Sequence, residues 1–265
     1  MPALDRAARE KWPAPQHGPS NTDVVGEVAQ ATVEAATDPL RAKARAVLAL
    51  MREAYGEPRW PTLDPLSSLI EVLLSHRTAD PQTWAAFKAL REGFSDWAAV
   101  RDAPLAAVQA AIHATTWPEQ KAPRIQAVLR QITAERGTLS LDFLNDLPLE
   151  EANAWLQHLP GVGPKSAACV LLFACHRPVL PVDTHVHRVS QRLGLIGSKV
   201  SADAAHVLIQ RLLPAPDNAT DVLAFHRDML LHGQRICVWR APRCPVCPLR
   251  AWCDYYAARE GATRG

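Results

Sequence analysis

Apolar residues recur at helical spacing along most of the chain from Pro39 onward. Leu40, Ala44, Val47, Leu48 and Met51 fall on one helical face, and the pattern stops near Gly56-Glu57-Pro58, where glycine and proline cannot sustain it. Asp64-Pro65 then opens the run Leu66, Leu69, Ile70, Val72, Leu73, Leu74. The aspartate is a natural N-cap, and proline at the first helical position gives up an N–H that has no helical partner there. The spacing predicts further helices over about 80–92, 105–114, 119–135, 149–158, 164–175, 184–193, 201–212 and 219–232, each set off by Pro, Gly, Asp or Thr. The extended candidate Arg177 to Val182 holds Pro178 and Pro181, which cannot donate into a sheet ladder. An all-α fold of many short helices is expected, without an internal repeat or a heptad array. Residues 1–38 are rich in Ala, Pro, Thr and Asp with no sustained apolar period. They are expected to form a disordered tail, unable to bury enough apolar surface to offset the entropy of ordering.

Composition narrows this picture. A chain of 265 residues with 48% hydrophobic and 21% charged residues has room for one large core or two smaller ones. It has no apolar run of the roughly 18 residues that a membrane span needs, and its N-terminus alternates charges. A cytoplasmic protein associated with the nucleoid, with no membrane partner, is the expectation. Net charge is +2 from 29 basic and 27 acidic residues; the first 40 residues are net acidic, so the remainder is mildly basic. That bias is compatible with nucleic acid without proving it. Six cysteines with no export signal point to thiols or metal ligands rather than disulfides. Lysine is scarce, at six residues, so a lysine at a chemically telling position is informative.

One such lysine follows a turn. An amphipathic helix (Ala152, Trp155, Leu156, Leu159) runs into Pro160-Gly161-Val162-Gly163, and a second helix starts at Pro164-Lys165. The glycines permit left-handed backbone and remove Cβ atoms that would hold a ligand away. Val162 between them can plug the space between the helices. Amides at the turn and the positive end of the second helix suit a DNA phosphate, although a tight αα-hairpin inside a bundle has the same short pattern. The longer string Leu159-Pro-Gly-Val-Gly-Pro-Lys-Ser-Ala167 resembles the helix-hairpin-helix of the base-excision DNA glycosylase superfamily. In that superfamily a Gly/Pro-rich loop and an aspartate follow. Here they are Arg177 to Asp183, and Asp183 lies 18 positions after Lys165, the family's separation between its catalytic lysine and aspartate. The dipole of the second helix is expected to disfavour the cationic form of Lys165, freeing an amine for attack. Asp183 can cap the next helix and also stabilise positive charge on the sugar.

The C-terminal order Cys237-x6-Cys244-x2-Cys247-x5-Cys253 places four thiols within 17 residues. A structural zinc site is one reading, but zinc knuckles use two Cys-x2-Cys pairs and this segment has one. The spacing resembles the 4Fe-4S loop of endonuclease III and its adenine-specific relatives. Arg240 and Arg243, between the first two ligands, would then approach DNA phosphates. Cys169 and Cys175 are expected to be small core residues.

The resemblance to the endonuclease III family covers roughly residues 39–255. It implies two helical domains flanking a DNA cleft: a six-helix barrel over 60–176 that carries the hairpin, and a cluster domain formed from 39–59 and 177–265. It implies a monomeric, bifunctional DNA glycosylase and abasic-site lyase acting on oxidised pyrimidines in duplex DNA. Lys165 and Asp183 would be catalytic, Gly161, Val162 and Gly163 would bind DNA, and Cys237, Cys244, Cys247 and Cys253 would hold a 4Fe-4S cluster. An adenine or thymine mismatch glycosylase would share much of this pattern but commonly has Ser or Tyr in place of the lysine, and a non-catalytic damage-sensing DNA-binding protein would have no use for the Lys165 and Asp183 pair. Two departures fall where the family contacts the strand opposite the lesion. Arg77 replaces the glutamine that fills the gap left by the flipped nucleotide, and Trp117 aligns with a wedge leucine. The alternatives are an Arg77 paired with Asp80 or a phosphate, and a Trp117 that covers the core.

Overall fold

The computed structural model describes residues 38–263, with side chains from 39 to 259, so the expected N-terminal tail lies outside the described residues apart from Asp38. All regular elements among the described residues are helical. They are α1 (Asp38–Tyr55), α2 (Pro65–Ser75), α3 (Asp80–Gly93), α4 (Trp97–Asp102), α5 (Leu105–Ala111), α6 (Pro118–Arg136), α7 (Leu149–His158), α8 (Pro164–Phe173), α9 (Thr184–Leu193), α10 (Ala202–Gln210), α11 (Ala219–Arg235) and α12 (Asp254–Thr263). Short 3-10 turns cover Asp142–Asn145, Cys244–Val246 and Arg250–Trp252. No described helix is long and apolar enough to cross a membrane.

The predicted starts hold better than the predicted ends. Asp64 caps α2, accepting the amide of Ser67 at 2.9 Å, with Pro65 in the first turn. The helices expected to reach 114, 175 and 212 stop at Ala111, Phe173 and Gln210, because no terminating glycine marks those ends. Two helices carry too little apolar period to be read from the sequence. The six residues of α4 rest on the Asp96 cap, which accepts the amide of Ala99 at 2.7 Å. The other, α12, follows the last cysteine and has no buried residue on its described side chains.

Helix α2 is the hub of the larger core. Its Leu69, Ile70, Leu73 and Leu74 are buried with Ile125, Leu129 and Ile132 of α6, Leu156 of α7, and Val170 and Leu171 of α8. It packs directly against α3, α6 and α8. A second group forms around α11, which packs on α1 and α9, while α9 also meets α10 and α12. Contact between α11 and α8 joins the two groups, so the loop from Phe173 to Thr184 passes where they meet.

Candidate active site

The hairpin between α7 and α8 turns at Gly161, whose φ is +79°. A Cβ there would lie 2.3 Å from Cδ of Arg124, a flexible side chain that can move aside, so it is the left-handed backbone that favours glycine. Val162 is buried in the main core and fills the space between the two helices. Gly163 corrects the sequence-based expectation: its φ is −97°, which any residue can adopt. Its value is open space, since a Cβ would meet nothing within 4 Å. It also leaves the start of α8 without a side-chain cap, which keeps leading amides available to an anion.

Lys165 follows in the first turn of α8. Its pKa is raised: Cys169, one turn on, is the largest influence, burial opposes it, and Asp183 and Glu71 add to the rise. The raised pKa favours the ammonium form of the resting residue. Cys169 is buried as expected, and burial holds it in the neutral thiol form with a raised pKa. Asp183 caps α9, its Oδ1 accepting the amides of His185 at 2.8 Å and Val186 at 2.7 Å. Both amides meet the same oxygen.

The loop before Asp183 is held by residues that the sequence did not single out. The side chain of Gln210 accepts the amide of Leu180 at 2.8 Å and donates to the carbonyl of Pro178 at 2.6 Å. His206 and His226 donate from Nδ1 to the carbonyls of Leu180 and Pro181, at 2.7 and 2.8 Å. Burial lowers the pKa of both rings, so they act as neutral donors. The aspartate therefore rests on a fixed support.

Arg77 and Trp117 sit on two loops stitched together. Both are non-glycine residues in the left-handed region, with φ of 52° and 55°, which costs about 1–2 kcal/mol each. Thr116 donates its amide to Thr78 Oγ1 at 3.1 Å and its hydroxyl to the Arg77 carbonyl at 3.0 Å. The buried Nζ of Lys121 donates to Thr78 Oγ1 and to the Leu74 carbonyl, each at 2.6 Å, closing the end of α2. Trp117 is 45% exposed and so does not cover the core. Arg77 is exposed, and the ion pairs among the described residues do not join it to Asp80. His76 bridges the Arg77 loop to α8, with Nε2 2.9 Å from Ser166 Oγ. Its pKa is lowered to about 4 by burial, then by Lys165, Lys121 and Arg124.

Cys237, Cys244, Cys247 and Cys253 line one cavity with Arg192, His232, Leu249, Tyr255 and Tyr256. The four thiols surround a shared space. Arg192 Nη1 lies 3.3 Å from Cys237 Sγ, and His232 Nε2 lies 3.5 Å from Cys247 Sγ. Arg188 and Arg192 fasten the segment to α9 through the carbonyls of Cys237, Val238 and Trp239. Arg240 and Arg243 are exposed on the intervening loop.

A glycine-bent hairpin whose second helix carries a lysine beside a capping aspartate, in an all-helical chain, marks the helix-hairpin-helix class of DNA-repair proteins. The chain belongs to the HhH-GPD superfamily of base excision DNA repair proteins, whose family model matches residues 70–215. A relative from Arabidopsis thaliana is 34% identical over 174 residues, 65% of this chain and 57% of that protein. Endonuclease III of Thermotoga maritima is 33% identical over 200 residues, 74% of this chain and 85% of the enzyme. The DNA glycosylase/AP lyase ROS1 of Arabidopsis thaliana is 27% identical over 182 residues, 64% of this chain and 13% of that protein. A non-covalent endonuclease III-DNA complex superposes with a TM-score of 0.71 at 26% identity, covering 83% of this chain and 98% of that one. The resemblance read from the hairpin and the expected all-α fold both hold.

Proposed function

We propose that the protein is a bifunctional DNA glycosylase and abasic-site lyase that removes oxidised pyrimidines from duplex DNA. The observation that carries this reading is the placement of Lys165 at the open start of α8, electrostatically coupled to Asp183. A base inside a duplex must leave the stack before it can be attacked, at a cost of a few kcal/mol that protein contacts offset. The hairpin of Gly161, Val162 and Gly163 and the exposed Arg240 and Arg243 hold the phosphates on either side. Once deprotonated, Lys165 Nζ attacks C1′ of the flipped nucleotide, the base departs, and the resulting Schiff base acidifies the C2′ proton for β-elimination of the 3′ phosphate. Asp183 stabilises positive charge developing on the sugar. The names of endonuclease III and of the glycosylase/AP lyase ROS1 among the relatives support both activities. The helices of the larger core and those around α11 would be the two domains facing the DNA.

The four cysteines fit a 4Fe-4S cluster, because they line a common cavity and four thiolates are its usual ligand set. Such a cluster would fix the Arg240–Arg243 loop against α9 and supply no step of the excision.

Trp117 and Arg77 are read as wedges, since two strained, exposed residues braced on one hydrogen-bonded frame suit insertion into the opposite strand. Trp117→Ala is expected to weaken binding to damaged duplex by about 1–3 kcal/mol, the scale of base-aromatic stacking, with little change in nonspecific affinity. Arg77 offers two donors to the two acceptors of guanine, so excision is expected to be faster opposite guanine than opposite adenine. Single-turnover excision from duplexes carrying thymine glycol, dihydrouracil, or A and T mismatches tests the reading as a whole. Release of oxidised pyrimidines with strand cleavage is expected; release of mismatched bases without cleavage would overturn it.

A further inference from the structure

Lys121 lies in the first turn of α6 and is only 5% exposed. A cation there meets the positive end of its own helix and loses its water, so it needs acceptors close by. Two are present. Nζ donates to the carbonyl of Leu74, which the end of α2 leaves without a helical partner, and to Thr78 Oγ1, each at 2.6 Å. Thr78 directly follows Arg77, and its hydroxyl is used to capacity. It donates weakly to the His76 carbonyl at 3.4 Å and accepts from Lys121 and, at 3.1 Å, from the amide of Thr116. Thr116, directly before Trp117, donates its own hydroxyl to the Arg77 carbonyl at 3.0 Å. The main-chain amide of Lys121 donates to the Trp117 carbonyl at 3.1 Å as α6 begins. Lys121 therefore holds the Arg77 loop with its side chain and Trp117 with its backbone. Burial and Arg124 lower its pKa to about 8, which leaves it an ammonium ion at neutral pH with its donors in place.

We propose that Lys121 is a positioning residue that locks Arg77 and Trp117 into one two-pronged unit, so that the two side chains engage the strand opposite the lesion together. This deepens the wedge reading of Arg77 and Trp117 and rests on it. Both prongs stand on left-handed backbone, with φ of 52° and 55°, a conformation that non-glycine residues keep only where their surroundings over-determine it. The Thr116 hydroxyl holds the Arg77 carbonyl, the Thr78 hydroxyl holds the Thr116 amide, and the Lys121 ammonium holds Thr78. Without that ammonium, the Leu74 carbonyl and the Thr78 hydroxyl lose their shared donor, and each loop can relax without the other. Lys121 is itself too buried to reach a phosphate, so its influence on DNA runs through the two loops.

The test is a double-mutant cycle of Arg77→Ala and Trp117→Ala, run in the full-length wild type, in Lys121→Met and in Thr78→Val. The readout is equilibrium affinity at fixed salt for a duplex carrying a tetrahydrofuran abasic-site analogue opposite guanine. That analogue has no C1′ hydroxyl, so it binds without forming a lysine adduct. In the wild type the double variant is expected to lose about 10-fold less affinity than the product of the two single losses. In Lys121→Met, whose side chain fills a similar volume without a donor, the two losses should simply multiply. Thr78→Val removes the shared hydroxyl at nearly constant shape and should give the same independence, whereas Thr78→Ser keeps the hydroxyl and should keep the coupling. These two variants decide the question if Lys121→Met does not fold. A coupling that persists at full size in Lys121→Met or Thr78→Val, or losses that already multiply in the wild type, overturns the role of Lys121 and leaves the wedges standing. If Arg77→Ala and Trp117→Ala each bind as tightly as the wild type, the wedge reading itself fails, and this proposal with it.

Discussion

Asp183→Asn is expected to lose base excision by about 10³-fold while the protein keeps its fold and still binds damaged duplex. The reason lies in how the carboxylate is used. Its Oδ1 accepts two amides at the start of α9, and an asparagine oxygen caps a helix about as well as an aspartate, so stability should change by only about a few tenths of a kcal/mol. The negative charge is what asparagine lacks. That charge acts on Lys165 in the resting site and is proposed to act on the sugar as it becomes positive. Asp183→Ala should lose both, falling in activity and in stability by about 1 kcal/mol. Comparing the melting temperature and the single-turnover rate of the two variants separates cap from charge. An asparagine variant with wild-type turnover would return Asp183 to a purely capping role.

Replacing Cys247 by alanine is expected to disorganise the segment from Cys237 to the end of α12. Between residues 237 and 259 Leu249 is the single buried side chain, so this stretch has almost no apolar core to hold it without its ligands. The wild type should be yellow-brown with about four irons per chain, and the variant colourless. DNA affinity should fall about 10- to 100-fold, the scale of losing charge-assisted contacts from Arg240 and Arg243. Iron analysis and binding at fixed salt check both points. Stoichiometric zinc in anaerobically prepared wild type would contradict the cluster.

The sequence discloses what is written in local strings and hides what depends on distant contact. Gly161 to Lys165, Asp183 and the four cysteines are legible because each motif needs fixed residue types at fixed spacing. Their immediate geometry follows, including the Asp183 cap and the buried Val162. The charge state of Lys165 is only partly legible, because beside Cys169, one turn on, it depends on burial and on Asp183 and Glu71, which lie on other elements. The same holds for Thr78 and Lys121, which join two loops separated by 38 or more positions, and for Gln210, His206 and His226, which brace the Asp183 loop. One signal was present for Glu71: a lone acid inside the apolar run of α2 is costly to bury, and Lys165 lies within its electrostatic reach. No comparable signal marks the left-handed backbone of Arg77 and Trp117, since neither is a residue type that favours it.

The central claim is that Lys165 forms a covalent bond to DNA, and borohydride reduction of the intermediate tests it most directly. Incubated with a thymine glycol duplex and borohydride, the wild type should yield a stable protein-DNA adduct. Lys165→Ala should yield none while still binding the duplex through the hairpin amides and the loop arginines. Undiminished trapping by Lys165→Ala, or no adduct from an excising wild type, would contradict the account.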